Sequence, residues 1–521
     1  MYDKKKGYVW NQYNTFVELI ADSCRKHSDL VVFAWKKGRK TIEKTFREWK
    51  DDLLLAAGKI MKLDASHIGV VSDGSYESIL SVFAILVAGK VVVPLETSQS
   101  KAILEKYVLK ADIDLILYTE SVMEEKPENC KLILIDELMN LNAEGLNDWP
   151  TWEKDRPACI FFTSGTSGKE GEKSCVLLSQ QNIATTTADY PSPVKRSSKA
   201  ETISYLPMYH VFAVANLITC MAKGYKSYLS RGAKYLSVEL LEYSPDFLPS
   251  VPMVTELLMK GIQKSIKASG KEREVLKGAK LTRLFAKFNI DIGPKIFKEI
   301  YDGIGGNLRF IHVSGAPISQ EMTDFFEDFG IYLLDGYGMT EASGVVAKIT
   351  FPCRRPGSVG IILPYNEVKT VDGEIWLRGN NVMLGYYKDE EATKRVMEDG
   401  WLKTGDLGYL DKDGYLYITG RKKNLIILSN GVNVSPEEIE KELLKSQYIQ
   451  EIIVREKDAH IHADIYPGEV EKEQLETICD NIAEEIRNYN HTNSVYNRIV
   501  SWDLREIPFE KTASLKIKRN A

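Results

Sequence analysis

Short apolar runs that read as strands alternate with segments of helical spacing along most of this chain. That alternation limits the fold more than any other feature. Phe16 to His27 has helical spacing, and Ile79 to Ala88 reads as an apolar helix leading into the strand-like Val91-Val92-Val93. Leu115 to Tyr118 and Leu132 to Ile135 repeat the strand pattern between polar segments. Continuous apolar strands joined by helices predict an α/β fold whose sheets are buried and mainly parallel. At 521 residues the chain exceeds what one core organises, so more than one domain is expected.

The texture changes near the end. Gly414 to Ile418 reads as a strand, followed by a basic turn, Arg421-Lys422-Lys423-Asn424. A capped helix from Ser435-Pro436 and an alternating strand around Ile452 to Arg455 come after it. The expectation is a large α/β domain over residues 1–422 and a small α+β domain over residues 423–521.

Charge and cysteine content narrow the function classes. The net charge of -5 sets 68 basic against 73 acidic residues, so no global field points to nucleic acid. The seven cysteines (Cys24, Cys130, Cys159, Cys175, Cys220, Cys353, Cys479) form no CxxC, which fits reduced thiols and a cytoplasmic setting rather than a zinc cluster. Met1 to Phe16 lacks a signal peptide's apolar run, and Ile79 to Leu95 is interrupted too early to span a membrane. Between positions 260 and 300, eleven Lys or Arg face four acids. A solvated helical face is one reading; a membrane-surface or anionic-ligand contact is the other.

The sharpest local signal is Thr163-Ser164-Gly165-Thr166-Ser167-Gly168-Lys169, placed after the apolar run Ala158 to Phe162. Small hydroxylated residues interleaved with glycine let N–H and O–H groups converge on phosphate oxygens, and Lys169 adds a point charge. Too few residues separate Gly165 from Gly168 for a Walker A loop. Taken alone, the segment reads equally as a surface turn.

Five further motifs follow in order, and with them the chain resembles the adenylate-forming superfamily of acyl-CoA synthetases, aryl-CoA ligases, luciferases and peptide-synthetase adenylation domains. Leu206-Pro207-Met208-Tyr209-His210 resembles the family's acid-pocket segment, and Ser314-Gly315-Ala316-Pro317 its adenine-side loop. Asp335-Gly336-Tyr337-Gly338-Met339-Thr340-Glu341 is nearly verbatim. Thr404-Gly405-Asp406 with Gly420-Arg421-Lys422-Lys423 resembles the ribose and hinge motifs, and Lys511 to Ile517 the terminal lysine motif.

The resemblance implies a role for each position. Tyr337 offers adenine an aromatic face. Thr340 donates to the α-phosphate; Glu341, with Thr166, is a hard oxygen ligand suited to Mg2+ on ATP. Asp406 accepts from ribose hydroxyls and Arg421 adds a donor fork. Lys516 offsets like-charge repulsion as the acid's carboxylate approaches the α-phosphate. His210 borders that carboxylate or gates its pocket; a hydrogen-bonded structural histidine is the plainer reading. Lys423 aligns with the hinge about which the small domain turns between half-reactions. Gly431, within Ser429 to Asn433, aligns with the wall of a pantetheine tunnel. Without the family pattern, Glu341 reads as a helix-start carboxylate, Asp406 as a turn cap and Lys516 as a surface lysine. His460 and His462 share a strand face with no third ligand apparent, so they read as hairpin surface.

The chain departs from the pattern in three places. The stretch after Lys169 is longer, Gln180 stands where a histidine is frequent, and Leu515 where glycine is common. Val211 to Leu217 carries no charge to pair a substrate ammonium, which disfavours an amino acid and favours a fatty or aryl acid. The expected activity is an ATP-dependent acid–thiol ligase, closest in texture to long-chain acyl-CoA synthetases, with CoA as acceptor. Its alternatives are the phosphopantetheine thiol of an acyl carrier protein, an aryl or small acid, and a non-catalytic nucleotide-binding protein.

Overall fold

The computed structural model describes residues 2–3, 8–9, 12–97, 99–163, 173–185, 200–286, 288, 290–349, 355–428, 433–458, 460–470, 474–511 and 517–519. The chain divides into two compact units, Met1–Glu367 with Arg378–Leu402, and Val368–Leu377 with Lys403–Ala521.

The first unit holds two large sheets. One runs in spatial order Gly385–Tyr386, Ser174–Ser179, Pro157–Thr163, Val91–Leu95, His67–Val71, Leu115–Tyr118 and Lys131–Leu134. Its last five strands are parallel, as their apolar runs predict. The other sheet is nine-stranded. Its centre is the parallel set Tyr332–Met339, Phe310–Ser314, Phe247–Ser250, Glu201–Ser204, Lys226–Leu229 and Val31–Lys37, closed by antiparallel strands at both edges.

Local chemistry sets the helix ends. Thr45 and Glu48 form a capping box that opens helix Phe46–Met61. Ser75 caps Tyr76–Val87, which buries every residue but Glu77 and is therefore apolar on all sides. Aromatic side chains from several elements interlock in the core, with Phe33 and Trp49 edge to face at 4.9 Å and Phe16 stacked on Phe83 at 5.5 Å. Gln180, fully buried, donates to the Leu86 carbonyl at 2.9 Å. Cys24, Cys159, Cys175 and Cys220 are buried free thiols.

Strand Trp401–Leu410, which belongs to the second unit from Lys403 on, pairs antiparallel with Leu416–Arg421. The predicted strand thus starts two residues later than expected and extends into the basic turn. Helix Pro436–Leu443 begins where Ser435-Pro436 foretold. Ser435 makes no side-chain cap, however; its hydroxyl donates to the Thr419 carbonyl at 2.9 Å. A three-stranded sheet follows, Glu451–Lys457, His460–Tyr466 and Ser501–Leu504, with its own apolar cluster of Ile439, Ile452, Ile465 and Ile482. No helix among the described residues is long and apolar enough to cross a membrane.

Candidate active site

The adenine-side motifs sit at the carboxyl ends of parallel strands, where α/β sheets place ligand sites. Ser314 ends strand Phe310–Ser314 and lies in register with Gly336 of strand Tyr332–Met339. Its buried hydroxyl donates to the Gly336 carbonyl at 2.9 Å, tying the two motifs together. Gly315 turns the chain away at φ 100°, a conformation that favours glycine, and Ala316 follows it. Burial pushes the Asp335 carboxyl up to about 7 against the opposing pull of the Gly336 N–H.

Beyond Gly336 the strand bulges between Tyr337 and Gly338 against Gly344–Lys348. A Cβ on Gly338 would fall 1.8 Å from the Gly344 carbonyl oxygen, so the close backbone approach requires glycine. The turn Thr340–Ala342 then points Glu341 inward, where it is 5% exposed. Tyr386 donates its phenolic O–H to the Glu341 carboxylate at 3.1 Å, and the Met383 N–H donates to the Glu341 carbonyl at 2.9 Å. Asn381 clamps the same turn, donating to the Ala342 carbonyl at 2.9 Å and accepting at its own carbonyl from Ser343 Oγ at 2.8 Å. Thr340 is partly exposed beside it. A buried carboxylate pinned in this way is a hard, pre-positioned oxygen donor, the kind a divalent cation on phosphates takes.

Thr163 ends strand Pro157–Thr163, and its hydroxyl is buried with no hydrogen-bond partner among the described residues. An orphaned donor at a strand's carboxyl end fits an anionic ligand. Ser164, Gly165, Thr166, Ser167, Gly168 and Lys169 lie outside the described residues. His210 stands at the N-cap of helix Val211–Lys223, its ring 4.6 Å from that of Tyr209.

In the second unit, Asp406 and Arg421 are cross-strand partners, and Arg421 Nε meets Asp406 Oδ1 at 2.5 Å. Asp406 is 3% exposed, so its charge is held by a partly exposed guanidinium. The Asp406 N–H donates to Thr404 Oγ1 at 3.0 Å, and Thr404 Oγ1 donates to the Ile375 carbonyl at 2.7 Å. Glu374, buried, accepts from the Gly405 N–H at 3.0 Å and from Lys422 Nζ at 2.8 Å. Lys423 lies exposed in the turn Lys422–Asn424. Gly431 and Lys516 lie outside the described residues. Beside Lys516, Ile517 pairs with Lys511 and packs against Ile453, Tyr466 and Phe509, while Lys511 Nζ meets Glu451 at 2.6 Å.

Sequence reasoning missed Tyr386, Asn381 and Glu374, each far along the chain from the residue it holds, with no local signal to reveal it. It also misread His462. That ring is fully buried, with Nδ1 2.7 Å from Ser501 Oγ and Nε2 3.3 and 3.4 Å from Asp464 and Asp503. The parallel strand Ser501–Leu504 supplies two of these partners. Arg455 and Lys457 already pair the two carboxylates, at 2.6 and 2.9 Å, so the cluster is a charge network.

The family model for AMP-binding enzymes matches residues 20–387, most of the chain. This chain belongs to the AMP-binding enzyme family. Among curated relatives, the long-chain-fatty-acid–CoA ligase FadD15 of Mycobacterium bovis is 28% identical over 491 residues, 86% of this enzyme and 81% of the relative. The long-chain-fatty-acid–[acyl-carrier-protein] ligase AEE15 of Arabidopsis thaliana is 30% identical over 410 residues, 65% of this enzyme and 55% of the relative. The fold of this AMP-binding enzyme also matches the o-succinylbenzoate CoA synthetase of Bacillus subtilis solved with its acyl-adenylate, at 20% identity and TM-score 0.74, covering 96% and 97% of the two chains. The same synthetase with ATP and magnesium matches at 21% identity and TM-score 0.74, covering 96% and 98%.

Proposed function

We propose that this AMP-binding enzyme is an acid–thiol ligase that activates a fatty acid as its acyl-adenylate and passes the acyl group to CoA. The observation that carries the reading is Glu341, a buried carboxylate anchored by Tyr386 within the segment Asp335 to Glu341. The relatives named as fatty-acid ligases and the uncharged run Val211 to Leu217 support the acid class. Free cysteines support the cytoplasm as its setting.

The acid's carboxylate oxygen attacks the α-phosphorus of ATP; an O–P bond forms as the bond to pyrophosphate breaks. Mg2+, when bound, neutralises phosphate charge, and Glu341 with Thr166 would hold it. Thr163, Ser164, Gly165, Thr166, Ser167, Gly168 and Lys169 cradle the departing phosphates, and Thr340 donates to the α-phosphate. Adenine lies between Ser314-Gly315-Ala316 and Asp335-Gly336-Tyr337, while Asp406 and Arg421 take the ribose. Lys516 places a positive charge against the approaching carboxylate, and His210 borders the acid. In the second half-reaction the thiol sulfur attacks the acyl carbon, the C–O bond to AMP breaks, and the thiol proton passes to solvent. Lys423 is the pivot between the two half-reactions and Gly431 walls the path of the thiol arm.

Pyrophosphate release over a panel of fatty, aryl and amino acids, with and without CoA, tests the reading beside Lys516→Ala. Fatty acids should turn over, faster with CoA, and the variant should lose at least about a thousandfold. Adenylation that CoA leaves unchanged would move the acceptor to a carrier protein. ATP binding with no pyrophosphate release from any acid would overturn the ligase.

A further inference from the structure

The chain on either side of Lys516 is held by side chains that the proposed mechanism does not use. Before it, the buried Glu451 takes two donors at once, the Phe509 N–H at 2.8 Å and Lys511 Nζ at 2.6 Å. After it, the Lys518 N–H donates to the Glu510 carbonyl at 2.8 Å, next to the bridge between Lys511 and Ile517. Arg519 then reaches the three-stranded sheet. Strand Glu451–Lys457 is an edge of that sheet, and edge strands carry backbone groups that no neighbouring strand takes. At Val454 two side chains take them. The Val454 N–H donates to Glu440 Oε1 at 2.6 Å, and Arg519 Nη1 donates to the Val454 carbonyl at 3.2 Å. Arg519 Nη2 also meets the buried Glu440 carboxylate, so guanidinium and carboxylate close a ring over one residue. Glu437, one turn earlier on helix Pro436–Leu443, lies 3.7 Å from Arg519 and accepts from Asn424 Nδ2 of the basic turn at 2.5 Å.

We infer that Arg519 is a positioning residue for Lys516, locking the terminal segment to strand Glu451–Lys457 through Glu440 so that the lysine's charge serves adenylation. The inference rests on the acid–thiol ligase reading. Arg519 follows Lys516 by three residues, at most about 10 Å of chain, and Ile517 between them packs against Ile453, Tyr466 and Phe509. The guanidinium divides its rigid fork between a carboxylate and a carbonyl, which fixes its direction as a single ammonium cannot. A charge that acts in a transition state is sensitive to such placement, and a shift of about 1 Å costs on the order of a hundredfold. Lys516 acts in the first half-reaction, where carboxylate approaches phosphate; displacement of AMP by a thiol has no such repulsion to offset. Loss of positioning is therefore confined to adenylation, whereas a merely structural defect touches both half-reactions.

The test reads the two half-reactions separately in the full-length enzyme. Pyrophosphate release from a fatty acid and MgATP reports the first, and thioester formation from added acyl-adenylate and CoA reports the second. Arg519→Ala should lower kcat for pyrophosphate release on the order of thirtyfold, with KM for ATP and the rate of thioester formation within about twofold of the wild type. Arg519→Lys should recover part of the loss. Burial raises the Glu440 carboxyl to about 7 against the pull of Arg519, so it can take up a proton when the guanidinium is removed. Glu440→Gln keeps an acceptor for the Val454 N–H and serves as the second variant, with an expected loss of about tenfold in the same half-reaction alone. Lys518→Ala removes a neighbouring charge whose pair with Glu510 is exposed, and should leave both half-reactions unchanged. Wild-type pyrophosphate release in Arg519→Ala and Glu440→Gln overturns the inference, and so does a loss shared equally by both half-reactions. Wild-type enzyme that releases no pyrophosphate with any acid sinks the ligase reading and the inference with it, an outcome seen before any variant is compared.

Discussion

Lys348 Nζ lies 2.8 Å from His312 Nδ1, the two residues standing on strands Gly344–Lys348 and Phe310–Ser314 of the nine-stranded sheet with strand Tyr332–Met339 between them. Burial lowers the Lys348 ammonium to about 7, and burial with the nearby Lys348 charge lowers His312 well below its ordinary range. Both groups therefore bind protons more readily in the unfolded chain. For Lys348 the unfolded state holds the extra proton between about pH 7 and 10.5, so stability rises with pH across that window. For His312 the excess lies below 6.5, so stability falls further as acid is added. Lys348→Met should flatten the alkaline slope, worth at most about 1.4 kcal/mol per pH unit. Thermal unfolding at pH 7, 8.5 and 10 checks it: a variant whose slope equals the wild type's would show that the amine is not responsible.

The contact between Tyr386 and Glu341 should matter to metal use more than to folding. Tyr386→Phe removes a hydrogen bond to a charged acceptor, worth about 1.5–3 kcal/mol. The expected outcome is at least a tenfold higher Mg2+ concentration for half-maximal pyrophosphate release, with a similar rate at saturation. Glu341→Gln should lose the saturated rate as well. Equal loss at every Mg2+ concentration in Tyr386→Phe would place the tyrosine elsewhere in the reaction.

Glu374 and Lys422 form an ion pair whose halves are unequal. Lys422 is mostly exposed, so Lys422→Ala should cost under about 1 kcal/mol. Glu374→Ala leaves the Gly405 N–H without its acceptor and should cost about 1–3 kcal/mol. Denaturant unfolding of the two variants, read side by side, gives the comparison; equal losses would mean that the ion pair, and not the backbone contact, is what Glu374 supplies.

Gly338 and Gly336 stand two residues apart with opposite tolerance. A Cβ at 338 collides with backbone, while one at 336 meets its nearest neighbour, the Ala347 carbonyl, at an ordinary 3.7 Å. Gly338→Ala should destabilise by about 4 kcal/mol or fail to fold, and Gly336→Ala should stay within about 0.5 kcal/mol. Guanidinium midpoints for both decide the matter.

Much of this molecule could be read from order along the chain. Apolar runs such as Leu115 to Tyr118 became parallel strands because a strand buried on both faces has no polar positions to hide its period. Asp335 to Glu341 was legible because its glycines and carboxylates are contiguous. What escaped was contact at long range. Tyr386 follows Glu341 by 45 residues, and nothing in its own neighbourhood distinguishes it from a core tyrosine. His462 looked like hairpin surface because its third strand, Ser501–Leu504, arrives 39 residues later. The serine before Pro436 marked a helix start correctly but not its own bond, since the Thr419 carbonyl was invisible from local sequence.

Four of the cysteines, three buried and Cys130 half-buried, bear on the chemistry in a different way. Burial raises the thiols of Cys24, Cys175 and Cys220 to about 12 and that of Cys130 to about 11. At neutral pH the first three are ionised to roughly one part in a hundred thousand. An acyl-adenylate is an activated anhydride that any nearby thiolate would intercept. At these four positions the protein offers such an anhydride almost no thiolate of its own at neutral pH.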